Sequence, residues 1–153
     1  MVPRPRILII DDDVDGLQML DQYLRARYEV RTCPRPGDGV ALARSFRPRL
    51  VLLDVDMPGM NGFETCQAIR AIEGGADIQV IFMSADGQAA SMQKALSLGA
   101  NDYVVKPLRL QDLLDRIDLR LMQSHSDEPM LCANLLLEPA SLTATIGDER
   151  VQL

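Results

Sequence analysis

Carboxylates gather where apolar runs of this chain end. Asp11, Asp12 and Asp13 follow Ile7 to Ile10, and Asp54 and Asp56 follow Leu50 to Leu53. Ser84 ends a third run, Val80 to Met83, and Lys106-Pro107 follows Tyr103-Val104-Val105. If these runs are parallel strands, their carboxyl ends bring several carboxylates, a hydroxyl and an ammonium to one edge of a sheet, where open sheets bind ligands. Grouped carboxylates repel and raise one another's pKa unless a cation compensates them. Oxygen donors with open positions suit Mg²⁺, a hard cation that keeps several waters. A single Asp after a strand is ordinarily a helix N-cap, and Asp13 and Asp15 keep that plain role, solvated near the first helix. Four strand ends carrying complementary groups ask for a joint explanation.

The runs that carry these groups are unbroken and rich in Ile, Val and Leu, as strands buried on both faces are. Tyr28-Glu29-Val30 alternates instead and reads as an edge strand. Helical spacing fills the intervals: Leu17, Leu20 and Leu24 after the first run, and Phe63, Cys66, Ile69 and Ile72 after the Leu50 run. It is clearest in Leu110, Leu113, Leu114, Ile117 and Leu121. Gly74-Gly75 is expected to close the third helix and Gly99 the fourth. Five strand–helix repeats imply a three-layer α/β fold with right-handed crossovers.

Composition narrows the function classes. The 153 residues carry a net charge of −6, which argues against tight nucleic-acid binding by this stretch. Cys33, Cys66 and Cys132 match no zinc or disulfide spacing and read as small core residues of a reducing compartment. The first apolar run is too short for a signal peptide or a membrane span, so a cytoplasmic protein is expected. Of the 16 cations, 14 are Arg, so Lys106 before Pro107 suggests a site that wants a compact ammonium.

Taken together, the segments Ile7–Asp13, Leu52–Gly62, Phe82–Ala85 and Gly99–Pro107 resemble the receiver domain of two-component response regulators over about residues 5 to 123. The resemblance implies a doubly wound, flavodoxin-like parallel sheet of order 2-1-3-4-5. It implies a phosphorylation-operated switch rather than an enzyme, with only self-catalysed phosphoryl transfer and slow autodephosphorylation. Asp54 is then the phosphoryl acceptor, supplied by a phosphohistidine of a sensor histidine kinase. Asp12 and Asp54 are direct Mg²⁺ ligands, joined by the backbone carbonyl of Asp56, with Asp11 acting through water. Lys106 and the metal neutralise the transferring group, Ser84 donates its hydroxyl to it, and Tyr103 swings inward behind Ser84. Lys106-Pro107 is similar to the family's cis peptide, and the positions of Asp56 and Asp86 are those that tune phosphoryl lifetime.

The remainder reads as a linker over 124–131 and the start of an effector domain over 132–153, a short β-rich tail that is too small to fold alone. Ala133–Ala140 and Gly147–Leu153 resemble the opening strands of the winged-helix domain of OmpR/PhoB-type regulators. The DNA-reading helix of that domain is not in this stretch, so a truncated transcription factor is expected, with DNA bound only through the further domain. In that subfamily the face of the fourth helix, fifth strand and fifth helix pairs two receivers. Asp102 and Arg116 match one cross-dimer ion pair, whereas Asn101, Leu119 and Leu108 depart from the subfamily's residues. His125 stands alone and reads as solvated. The alternative is a haloacid dehalogenase-type phosphatase, because Asp54-Val55-Asp56 fits its DxD nucleophile motif. The acid pair Asp11-Asp12 then precedes the motif instead of following it, and Met57-Pro58 stands where Gly-Thr is usual.

Overall fold

The computed structural model describes residues 4–126; the tail strands, Cys132 and the effector-domain start expected beyond them lie outside the described residues, as does the side chain of His125. Five parallel strands form one sheet: β1 (Arg6–Ile10), β2 (Glu29–Cys33), β3 (Leu50–Asp54), β4 (Gln79–Ser84) and β5 (Asp102–Val105), in the order β2-β1-β3-β4-β5. The helices are α1 (Val14–Leu24), α2 (Pro36–Phe46), α3 (Gly62–Ala71), α4 (Ala89–Ser97) and α5 (Leu110–Ser126). This is the three-layer α/β fold expected from the alternating pattern, in the doubly wound order that the resemblance implies.

Side chains along each central strand divide between two cores. Leu8, Ile10, Val51, Leu53, Val80 and Phe82 pack with Ala43, Phe46, Cys66, Ile69 and Ala95 of α2, α3 and α4. Their alternates Ile7, Ile9, Leu50, Leu52, Ile81 and Met83 pack with Leu17, Leu20, Leu24, Leu113 and Ile117 of α1 and α5. Helices on both faces leave no solvated side for β1, β3 and β4, so their runs are apolar throughout instead of alternating. The edge strand β2 does alternate. It begins at Glu29 rather than Tyr28, because Tyr28 is buried and its hydroxyl donates to Asp118 of α5.

Two boundaries differ from expectation. The third helix ends at Ala71, with Ile72 extended at its C-cap. The glycine pair instead serves a following 3₁₀ turn over Gly75–Asp77, entered through Gly74 at φ +78°. Helix α5 continues to Ser126, three residues into the expected linker. Gly99 does follow α4, at φ +108°. Cys33 and Cys66 are buried and free.

The β3–α3 loop is pinned by a capping box: the Asn61 side chain accepts from Glu64 N–H, and the Glu64 side chain accepts from Asn61 N–H, each at 3.0 Å. Replacing Asn61 by Ala is expected to lower unfolding free energy by about 1 kcal/mol, read as a shift in urea midpoint at unchanged slope.

Candidate functional site

Three strands and one loop deliver the polar groups to the carboxyl edge of the sheet. Asp11 follows β1, Asp54 is the last residue of β3, and Ser84 is the last residue of β4. Their exposures are 4%, 3% and 1%, whereas Asp12 is exposed. Lys106 follows β5 and precedes Pro107 through a cis peptide bond, as the resemblance implied. Its backbone N–H donates to Ser84 O at 2.7 Å, which ties the lysine's loop to the end of β4.

Lys106 Nζ reaches Asp11 Oδ2 at 3.1 Å and Asp54 Oδ1 at 3.4 Å. Asp11, Asp12 and Asp54 can each offer a carboxylate oxygen such that all three lie within 4.8 Å of one another. Burial, then repulsion from Asp11, pushes Asp54 up to about 6, against the lowering pull of the Asp56 N–H and of Lys106. Burial pulls Lys106 down, but hydrogen bonding and charge attraction from Asp11 and then Asp54 outweigh it and hold the ammonium above its ordinary value. One ammonium therefore leaves the carboxylates undercompensated. Hard oxygen donors, two buried and one open to water, fit an octahedral cation that retains part of its hydration shell.

The expected site residues Asp11, Asp12, Asp54 and Lys106 thus converge. Ser84 adjoins them, but its hydroxyl donates to Asp56 Oδ2 at 3.2 Å. Asp56 N–H in turn donates to Asp54 Oδ1 at 3.2 Å, so the carboxylate of Asp56 is held over the site by its own backbone. This side-chain contact has no signal in the sequence, where Asp56 stands out only for its carbonyl and for its position two residues past Asp54. The Asp86 carboxylate lies at the start of α4, accepting from Gln88 N–H at 2.9 Å and Ser91 Oγ at 2.5 Å. The Ser91 bond, then the Gln88 bond, lower its pKa. Tyr103 already lies inward, buried, with its hydroxyl donating to Asp86 O at 2.7 Å. Asp102 accepts from Arg116 of its own chain at 2.8 Å and lies 3.6 Å from Arg120.

A family model described as the response regulator receiver domain matches residues 7–118, which span every group above except Arg120. The chain belongs to this receiver family. Curated relatives agree: the DNA-binding response regulator MtrA of Mycolicibacterium paratuberculosis is 34% identical over 154 residues, covering 98% of this chain and 67% of that protein. The transcriptional regulatory protein AfsQ1 of Streptomyces coelicolor is 34% identical over 152 residues, covering 97% and 66%. The chain thus spans about two thirds of the length of these relatives. Among solved structures, a CheY-like receiver domain protein from Methanospirillum hungatei superposes with a TM-score of 0.75 at 28% identity, covering 81% of this chain and 98% of that one. The BeF3-activated DrrB receiver domain gives 0.70 at 27% identity, with coverages of 79% and 99%. The phosphatase alternative finds no support in these matches. As a receiver, the chain is a regulatory switch, and the undercompensated aspartates occupy the place where receivers bind Mg²⁺. No helix among the described residues is long and apolar enough to cross a membrane.

Proposed function

We propose that this receiver takes a phosphoryl group onto Asp54 from the phosphohistidine of a sensor histidine kinase. The observation that carries the proposal is the buried Asp54 carboxylate, undercompensated beside Asp11 and within 3.4 Å of Lys106, in a chain of the receiver family. An Asp54 carboxylate oxygen attacks phosphorus, a P–O bond forms, the P–N bond to the donor imidazole breaks, and the imidazole leaves with its electron pair. Asp12 and Asp54, with the Asp56 backbone carbonyl and Asp11 through water, would hold Mg²⁺, which when bound supplies charge neutralisation to the transferring oxygens. Lys106 supplies a second positive charge from the β5 side, already oriented by its two carboxylate contacts. Ser84 meets the new phosphoryl oxygens, and Tyr103, bonded to the next loop, carries the change toward the α4-β5-α5 face.

By analogy with the DNA-binding relatives, the output is transcriptional control in the cytoplasm, exerted through an effector domain that starts near residue 132. Pairing of two receivers through the α4-β5-α5 face is supported by exposed Leu96 and Val105, which line one cavity there. Such a dimer would exchange the internal Asp102–Arg116 bond for one between copies.

Incubation with acetyl phosphate and Mg²⁺ tests the central claim. One acid-stable, base-labile phosphoryl group per chain is expected, lost in Asp54→Asn and without Mg²⁺. Absence of the adduct, or rapid multiple turnover of a chromogenic phosphomonoester, would overturn it.

A further inference from the structure

Ser84 has one proton to give. Its hydroxyl oxygen accepts from Asp86 N–H at 3.1 Å, and the hydroxyl donates to Asp56 Oδ2 at 3.2 Å. A serine hydroxyl carries a single donor, and this one is 1% exposed, so no second geometry brings water to it without moving the loop. Any phosphoryl oxygen on Asp54 that is to receive this hydrogen bond must therefore take it from Asp56.

We infer that the Asp56 carboxylate is a positioning residue that competes with the phosphoryl group for the Ser84 hydroxyl, and so sets how readily the receiver enters its phosphorylated arrangement. The inference rests on Asp54 as acceptor. Asp56 is suited to the task because it is placed independently of Ser84. Its N–H is bonded to Asp54 Oδ1, and its residue is exposed, so once displaced its carboxylate finds water at once. The competition costs one charge-assisted hydrogen bond and leaves no buried group unpaired. It also reaches further than the site. Asp86 gives its N–H to Ser84 Oγ and accepts from Tyr103 through its carbonyl, so the hydroxyl that changes partner is one residue from the bond holding Tyr103. The Asp86 side chain is fastened to α4 by Gln88 and Ser91, so a shift of this residue is felt at the helix start.

Removing Asp56 also removes a negative charge beside an incoming anion, which by itself tightens binding. A double-mutant cycle separates the two effects. Apparent affinity for beryllofluoride in the presence of MgCl₂, followed by thermal shift and isothermal titration, is measured for wild type, Asp56→Ala, Ser84→Ala and the double variant. Asp56→Ala is expected to tighten binding at least threefold more when Ser84 is present than in the Ser84→Ala background, about the ratio of one hydrogen bond. Asp56→Asn keeps an acceptor oxygen without the charge. Its Ser84-dependent gain should be smaller than that of Asp56→Ala, because the amide oxygen still competes for the hydroxyl through a neutral and weaker hydrogen bond. An Asp56→Ala gain of the same size in both backgrounds would overturn the inference and leave charge as the whole effect. If wild type bound no beryllofluoride, the failure would lie with Asp54 as acceptor and not with Asp56.

Discussion

Asp54→Asn should make the metal-free protein more stable at pH 7.5 while ending its ability to be phosphorylated. The Asp54 carboxyl is pushed from 3.8 to about 6 by burial first and Asp11 second. Below pH about 4 both folded and unfolded chains hold this proton, and the native state is not penalised. Between about 4 and 6 the unfolded chain releases it and the folded one keeps it, so stability falls as pH rises. Above about 6 the loss is complete. A displacement of this size corresponds to at most about 3 kcal/mol. The amide has the same shape and no charge to bury, and Asp11 still accepts from Lys106. The variant should therefore lack this descending limb and melt several degrees higher than wild type at pH 7.5. Saturating Mg²⁺ should reverse the order, because a cation that binds the native state stabilises the intact carboxylate set. Thermal melts at pH 4 and 7.5, with and without Mg²⁺, check both halves. Parallel pH profiles for the two proteins would show that Asp54 is not strained by its neighbours.

The second large effect concerns a residue without functional groups. A Cβ placed on Gly62 would stand 2.6 Å from Asp54 O and 2.6 Å from Val55 Cα, both main-chain atoms. No rotamer change relieves such a contact, so either α3 or the end of β3 must move. Gly62→Ala is expected to cost about 1–3 kcal/mol of unfolding free energy, as overpacking does. It should also slow phosphorylation by acetyl phosphate by roughly 100-fold, because small displacements of reacting groups are costly. Gly59→Ala in the same loop is the control. Its φ of +81° carries backbone strain, but nothing lies within 4 Å of the added methyl. It should lose about 1–2 kcal/mol with far less effect on rate. Equal unfolding midpoints for Gly62→Ala and wild type would refute the packing argument.

The parts of the fold that can be read in advance are those with a strong local cause. Ile7 to Ile10, Leu50 to Leu53 and Val80 to Met83 lie between two helix layers and are apolar throughout for that reason. The edge strand is displaced by a residue because Tyr28 owes its burial to a partner 90 residues away, which no local pattern encodes. Helix α2 can be counted from the alternation but not placed, since Pro36-Gly37-Asp38-Gly39 opens it with two poor helix formers. Gly74-Gly75 has the look of a helix end, and the chain instead uses these glycines in a separate turn. At the site, Asp11, Asp54, Ser84 and Lys106 are legible because each sits at a strand terminus, and strand termini share an edge in a parallel sheet. The Asp56–Ser84 contact is not, because it joins a loop to a neighbouring strand over 28 residues.

The register of the sheet has a consequence for quality control within the molecule. Ile10 stands opposite Leu53, Leu53 opposite Phe82, and Ser84 opposite Val105. Asp54 itself stands opposite Met83, so Ser84 and then Lys106 follow beyond its level, stepping the polar groups along the carboxyl edge of the sheet. A slip of β3 by one position would exchange Asp54 for Leu53 or Val55 and send its apolar side chains to the opposite core. A misregistered chain could still collapse, but it could not assemble the three carboxylates. Affinity for a cation held by these carboxylates would in this sense be a proofreading signal, high only for chains in which β1 and β3 are aligned, and titration with Mg²⁺ would double as an assay of that alignment.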